Sequence, residues 1–247
     1  MDREGRLCVG VFDSGIGGMT LLAECRRRLP RVRFYYFGDN GNAPYGGRSR
    51  EELLSLSRRA MDVFSAVGAD AALIACNTVT TACIGDLRRE YPFPVVGTEP
   101  ALRAAAGCQN LLVLATAATL KSGEYARLQR ERRGRTVCFA PERLVAAIEK
   151  NAPFLGRIGI ADHLPPLRPD GVVLGCTHFV YLKEAIGKFY GAPCFDGNAG
   201  TAKQLEKILF SRATGVSMPE KEGDVVFLGK SKVVNAYLYK QMFVFEN

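Results

Sequence analysis

The chain has 247 residues, of which 47% are hydrophobic, and its formal net charge is +8. This apolar content excludes an intrinsically disordered chain, and no apolar run approaches the roughly 20 residues of a membrane-spanning helix. The charged first residues precede an apolar run too short for a signal peptide, so we expect a soluble, cytoplasmic protein without membrane contact.

Short apolar segments alternate with longer segments of helical periodicity along the chain. The clearest helix is predicted over Arg50–Val67, where Leu53, Ala60 and Phe64 belong to one apolar stripe. The apolar segments predict strands, in chain order, at Cys8–Phe12, Arg33–Phe37, Ala71–Ala75, Pro94–Val96, Leu111–Ala115, Thr136–Phe139, Gly171–Leu174, Pro193–Phe195 and Asp224–Leu228.

The order of these elements indicates the fold class. Strands that are apolar throughout and separated by helices are typical of parallel sheets covered by helices on both faces. The predicted strands could form one large sheet or two smaller ones. The polar segment Ser211–Gly223 is predicted to be a surface connection.

One pattern occurs twice, at long range. An apolar strand ends in Cys76-Asn77-Thr78, and another ends in Cys176-Thr177-His178, 176 − 76 = 100 residues later. The simplest account is two similar α/β lobes, each with a Cys at the carboxyl end of a strand, where open α/β sheets bind ligands. A helix N-terminus beside such a Cys favours the thiolate, and nearby amides can bind a carboxylate.

A glycine-rich segment follows the first predicted strand. Asp13-Ser14-Gly15-Ile16-Gly17-Gly18 lacks both the GxGxxG spacing and the lysine of a nucleotide-binding loop. We therefore interpret it as a tight glycine turn that exposes Asp13 and Ser14. Of the two histidines, His163 lies in a proline-rich stretch, whereas His178 lies two residues after Cys176 and could assist its proton transfer.

The cysteines and arginines have simpler interpretations. No two of the eight cysteines are closer than seven positions, so we expect buried free thiols and no metal site. The arginine runs fall at the ends or polar sides of predicted helices, where charge is solvated. We expect no nucleic-acid partner, although a basic binding protein stays open as the alternative, testable by salt-sensitive binding.

Several motifs together resemble the glutamate racemases of the cofactor-independent aspartate/glutamate racemase superfamily. They span most of the chain in the family's order. The matching segments are Val9–Gly18, Tyr36–Asp39, Ala43–Gly46, Ala75–Thr78, Gly97–Ala101, Ala115–Gly123 and Leu174–Phe179.

The resemblance implies a fold and a site. It implies two pseudo-symmetric lobes, each a mostly parallel sheet flanked by helices, with the active site between them. The first lobe would comprise residues 1–97 and 206–247, and the second residues 98–205. By similarity, Cys76 and Cys176 are the catalytic acid and base. Asp13 and His178 match assisting positions, and Glu149 matches one more loosely. The implied substrate-binding residues are Asp13, Ser14, Pro44, Tyr45, Gly46, Asn77, Thr78, Thr119, Thr177 and His178.

The resemblance also implies an activity, namely racemisation of L- and D-glutamate by two thiols, without cofactor or metal, to supply D-glutamate for peptidoglycan. Glutamate would be the small-molecule partner, and a homodimer is possible. A racemase of aspartate or of another amino acid stays open. The sequence departs from the family pattern at Asn40-Gly41-Asn42 and at Val180.

Overall fold

The computed structural model describes residues 5–212 and 222–243. Within these residues the strands are β1 (Cys8–Asp13), β2 (Arg33–Gly38), β3 (Ala71–Ile74), β4 (Val95–Gly97), β5 (Asn110–Ala115), β6 (Arg135–Phe139), β7 (Gly171–Gly175), β8 (Cys194–Phe195) and β9 (Val225–Leu228). Each overlaps a predicted strand, and no end differs by more than one residue. Most of the connection predicted over Ser211–Gly223 lies outside the described residues.

Helices separate the strands. The α-helices are α1 (Met19–Arg28), α2 (Arg50–Ala66), α3 (Asn77–Glu90), α4 (Ala117–Lys121), α5 (Gly123–Arg130), α6 (Glu142–Asn151), α7 (Thr177–Val180), α8 (Lys183–Tyr190), α9 (Asn198–Arg212) and α10 (Lys232–Phe243). Short 3-10 turns lie at Asn40–Asn42, Leu155–Arg157 and Ile160–Asp162.

The strands form two sheets rather than one. The first has the order β4-β3-β1-β2-β9 and the second β6-β5-β7-β8, with every described pair parallel. We call these sheets and the helices that cover them the first and second lobes. The two-lobe α/β fold predicted from the sequence is confirmed. The helix α9 packs against α1 and β4 of the first lobe.

Burial explains why the strands are apolar throughout. All residues of β1 and β7 are buried, as parallel strands covered on both faces must be. Along β1, Val9 and Val11 join one core, whereas Phe12 joins another, because successive side chains point to opposite faces.

The predicted stripe of α2 packs as expected, with Leu53, Ala60 and Phe64 in the core. The helix begins with a capping box, in which Ser49 Oγ accepts from Glu52 N at 3.2 Å and Ser49 N donates to Glu52 Oε2 at 2.9 Å.

The two lobes share one apolar core. A single cluster of buried residues runs from Val9 and Ile16 in the first lobe to Leu114, Leu144 and Phe179 in the second. The space between the sheets is therefore closed by packing as well as by the polar contacts described below. No helix in the described part of the chain is long and apolar enough to cross a membrane.

Candidate active site

A cavity of about 260 Å³ lies between the lobes, where the carboxyl ends of the strands in both sheets converge. Its size suits a small metabolite, since pockets for drug-sized ligands begin near roughly 300 Å³. Residues of both lobes contribute to its wall. The lining residues are Ser14, Pro44, Tyr45, Gly46, Gly47, Cys76, Asn77, Thr78, Ala115, Thr116, Ala117, Ala140, Pro141, Glu142, Val145, Cys176, Thr177, His178 and Phe179.

Cys76 stands on the first-lobe side of the cavity. It follows β3 and is the N-cap residue of α3, so its thiol lies beside the first amides of a 14-residue helix. Its Sγ donates to Ser14 Oγ at 3.8 Å. Burial, together with the negative charge of Asp13, raises the pKa of the Cys76 thiol to about 12. Cys76 is therefore a protonated thiol.

Cys176 occupies the corresponding position after β7, as the N-cap residue of α7. Its Sγ lies 3.9 Å from Nδ1 of His178, whose Nε2 lies 2.6 Å from Glu149 Oε1. Burial alone would lower the pKa of His178, but hydrogen bonds with Cys176 and Glu149 outweigh it and place this pKa well above 6.5. His178 is thus an imidazolium, placed to stabilise negative charge on the Cys176 sulfur.

Glu149 projects from α6 of the second lobe towards both lobes. Besides its contact with His178, it accepts a hydrogen bond from Ile16 N at 2.8 Å and one from Asn40 Nδ2 at 3.1 Å. Burial would raise the pKa of this carboxyl, but the donors outweigh burial and hold the pKa below its ordinary value of 4.5. Glu149 and His178 therefore form an ion pair behind Cys176.

Asp13 lies at the end of β1 and is fully buried. It is absent from the cavity wall. Its Oδ1 accepts a hydrogen bond from Thr177 Oγ1 at 3.2 Å, and its Oδ2 accepts one from Gly15 N at 3.0 Å. Asp13 thus holds a second-lobe residue of the cavity from the first lobe, in contrast to the exposed position predicted for it.

Most of the implied substrate-binding residues line the cavity, namely Ser14, Pro44, Tyr45, Gly46, Asn77, Thr78, Thr177 and His178. Tyr45 donates its hydroxyl proton to Asp39 Oδ2 at 2.8 Å, which fixes the ring at the cavity wall. Thr119 is fully buried behind the wall and interacts through Thr116.

Thr116 is a cavity residue that the sequence analysis missed. Its hydroxyl lies 2.9 Å from that of Thr78 across the lobe interface and 2.9 Å from that of Thr119. Its position directly after β5 was the available signal, because Cys76 and Cys176 also follow strands whose carboxyl ends face the cavity. The sequence carries no comparable indication for the apolar lining residues Ala117, Pro141 and Val145, because none of them directly follows a strand.

The described wall of the cavity offers amides and hydroxyls, rather than basic side chains, to an anion. No Lys or Arg is among the described residues that line it. Anionic groups must therefore be held by main-chain amides and hydroxyls, and the N-terminus of α3 at Asn77 and Thr78 supplies both. Within the described chain, Asn77 Oδ1 is buried and accepts no hydrogen bond, so it can receive one from a ligand.

The turn after β1 needs glycine because second-lobe side chains occupy the space that a Cβ would fill. A Cβ on Gly17 would lie 2.5 Å from His178 Nδ1 and 2.7 Å from Thr177 Oγ1, and a Cβ on Gly15 would overlap the Glu149 carboxylate. Neither glycine has a positive φ. The turn is thus a socket in the first lobe for side chains of the second.

In the described residues, no group of three or more His, Cys, Asp or Glu could hold a metal ion.

Comparison with known proteins gives consistent matches. The Asp/Glu/hydantoin racemase family matches residues 20–205. The chain is 37% identical to a glutamate racemase of Bifidobacterium animalis subsp. lactis, with 90% of this chain and 92% of that protein covered. It is 34% identical to glutamate racemase 2 of Bacillus subtilis, with 95% and 94% covered.

A solved structure also matches this chain over nearly its whole length. Glutamate racemase from Thermus thermophilus, in complex with β-chloro-D-alanine, superposes with a TM-score of 0.76 at 31% identity. The match covers 98% of this chain and 93% of that one. The relatives therefore resemble this chain over nearly its whole length, including both halves of the cavity.

Proposed function

The chain belongs to the Asp/Glu/hydantoin racemase family, and from that premise we propose that it interconverts L- and D-glutamate with two cysteine thiols as acid and base. The observation that carries this proposal is the placement of Cys76 and Cys176 on the walls of one small cavity, each at the carboxyl end of a strand in a different lobe. The product D-glutamate would serve peptidoglycan synthesis.

The cavity supports glutamate as the substrate. Its α-carboxylate would lie at the N-terminus of α3, with Thr78 and Thr177 as hydroxyl partners, and Asn77 Oδ1 would accept from the ammonium group. The second carboxylate would lie against Ser14 and the turn at Tyr45–Gly46. These contacts replace the Lys or Arg that a dicarboxylate would otherwise need.

The chemistry follows from the two thiols. A thiolate on one face removes the α-proton, which leaves a carbanion conjugated with the α-carboxylate, and the thiol on the other face delivers a proton to Cα. The first sulfur ends as a thiol and the second as a thiolate, so the reverse reaction uses the same groups with exchanged roles. Amides and hydroxyls around the carboxylate stabilise the developing charge.

The resting protonation state follows from the surroundings of each sulfur. Cys76 is the thiol because burial and the Asp13 charge raise its pKa, and Cys176 Sγ lies 3.9 Å from Nδ1 of the charged His178 ring. Removal of an α-hydrogen that faces Cys76 therefore requires that this thiol first lose its proton.

Racemisation assays on L-glutamate, D-glutamate and L-aspartate test this function. We expect the wild-type protein to invert both glutamate enantiomers and to leave aspartate largely unchanged. Cys76→Ser and Cys176→Ser should each lower kcat by at least roughly 10²–10⁴-fold, the usual share of one acid/base group. Circular dichroism should show that both variants fold.

Cys138→Ser is the matched control, because Cys138 is exposed, lies outside the cavity and contacts Tyr125 through an interaction that a hydroxyl can replace. Its activity should equal that of the wild type. If the protein inverted aspartate alone, the two-thiol mechanism would still hold, but the substrate would be aspartate rather than glutamate. Normal turnover in either Cys76→Ser or Cys176→Ser would refute the two-thiol mechanism.

A further inference from the structure

Asn40 is a first-lobe residue whose side chain contacts Glu149, the second-lobe carboxylate that pairs with His178. It lies in the short turn after β2, where the sequence departs from the family pattern. Its Nδ2 donates to Glu149 Oε2 at 3.1 Å, 109 positions away in the chain. Nothing in the proposed proton transfers requires this residue to touch substrate, and it does not line the cavity.

The orientation of the Asn40 amide is determined by Glu149. Within the described residues, Asn40 Oδ1 is buried and accepts no hydrogen bond. Turning the amide over would place this oxygen against the carboxylate, so only the observed orientation is attractive. A buried acceptor without a partner is costly, and the charge-assisted bond on the other side of the same amide offsets that cost.

Asn40 completes a cradle that exists only when the lobes are together. Glu149 Oε2 accepts a hydrogen bond from Asn40 Nδ2. Glu149 Oε1 accepts one from Ile16 N and one from His178 Nε2. The carboxylate lies against the bare Cα of Gly15. Asn40, Gly15 and Ile16 belong to the first lobe, whereas Glu149, His178 and Cys176 belong to the second.

We propose that Asn40 is a positioning residue, which holds Glu149 across the lobe interface and thereby fixes the His178 imidazole against Cys176 when the lobes are closed. This inference rests on the proposed function. Separation of the lobes would remove the Asn40 and Ile16 donors from Glu149 and leave only His178. The Cys176 half of the site is then fully assembled only in the closed protein.

Asn40→Leu tests the inference, because leucine is close to asparagine in shape and cannot donate a hydrogen bond. We expect kcat for glutamate to fall roughly tenfold, as for a lost hydrogen bond to a charged group. KM should change by less than about twofold, since Asn40 does not bind substrate. The control Asn151→Leu also removes an amide hydrogen bond from α6, that of Asn151 to Ala147 O, and should leave both constants unchanged.

A double-mutant cycle distinguishes positioning from general structural damage. If Asn40 acts through Glu149, then Asn40→Leu should change kcat by less than about twofold in a Glu149→Gln background. An equal loss in both backgrounds would overturn the inference. If the wild-type protein does not invert glutamate, the proposed function fails. If the wild type is active and Asn40→Leu equals the Asn151→Leu control, only the role of Asn40 fails.

Asn40→Asp gives an independent measurement if Glu149→Gln is too slow to assay. The introduced carboxylate repels Glu149 at neutral pH, but its protonated form can donate as Asn40 does. The ratio of variant to wild-type kcat should therefore rise as the pH is lowered, whereas the ratio for Asn40→Leu should stay constant. Parallel profiles for both variants would refute the role. The titratable groups facing Glu149 and His178 are Asp13, Tyr36, Cys176 and Tyr181.

Discussion

At the scale of single residues, the two thiols differ in what surrounds them. Cys76 has a hydroxyl and main-chain amides beside it, and the buried Asp13 carboxylate raises its pKa further. Cys176 has a histidine that is itself paired with a carboxylate. At Cys76, burial and the Asp13 charge outweigh the donors and raise the pKa of the thiol, whereas Cys176 lies beside a charged imidazole, so the two sulfurs have different electrostatic surroundings.

The charge of His178 gives a prediction that does not depend on turnover. The chain has only two histidines, so its imidazole signals can be followed by NMR and assigned with His163→Gln. We expect His178 to stay protonated as the pH rises through 6.5. In Glu149→Gln its pKa should fall, because burial persists while the partner carboxylate is lost. An unchanged pKa in Glu149→Gln would contradict the ion pair.

The same pair affects stability with a definite sign. Since the folded pKa of His178 is raised, its contribution is complete below 6.5 and is lost as the pH rises through the folded value. Since the folded pKa of Glu149 is lowered, its contribution is complete above 4.5 and is lost as the pH falls through the folded value. The pair therefore contributes its full stabilisation between pH 4.5 and pH 6.5.

At the scale of elements, the turn between β1 and α1 is a socket for the second lobe. Gly17→Ala would place a methyl group against His178 and Thr177. We expect the protein to fold and kcat to fall about 10²-fold, because a displacement of roughly 1 Å at catalytic groups has that effect. Steady-state assays together with thermal unfolding check this.

Gly200→Ala is the control for that variant. Gly200 lies in α9, and a Cβ there has no neighbour within 4 Å. This substitution should leave kcat unchanged and raise stability by up to about 1 kcal/mol, as expected for a glycine replaced within a helix. Full activity in Gly17→Ala would show that His178 tolerates displacement and would contradict the socket.

The elements also show what the sequence could predict. The strands, the stripe of α2 and the two Cys positions follow from apolar periodicity and from turn residues, which are local properties. The contact of Asn40 with Glu149 could not be predicted, because it joins two lobes across 109 positions. The glycines of the β1–α1 turn suggested backbone conformation, whereas the structure shows that they leave space for Glu149 and His178.

At the scale of the whole molecule, hydrogen bonds join the lobes around the cavity. Thr177 donates to Asp13, Thr78 contacts Thr116, and Tyr181 Oη donates to Ile16 O at 2.7 Å. Thr177, Thr78 and Thr116 also line the cavity. The contacts that join the lobes therefore also shape the cavity wall.

In the described part of the chain, many arginines lie at helix ends rather than in the cavity wall. Arg27 and Arg28 end α1 and pair with Glu24 and Glu206, and further arginines end α3 and α5. Cations in the last turn of a helix interact favourably with its dipole. These runs are thus accounted for by helix ends and surface ion pairs, as their placement in the sequence indicated.

The most direct test of the two-thiol account is early proton exchange in heavy water. Purified protein is given L-glutamate or D-glutamate, and deuterium at Cα is measured in substrate and product within the first turnovers. The account predicts deuterium in the inverted product while the remaining substrate keeps its hydrogen, because one sulfur removes the proton and another delivers the deuteron. Deuterium entering the uninverted substrate as fast as the product, or no exchange with glutamate, would contradict it.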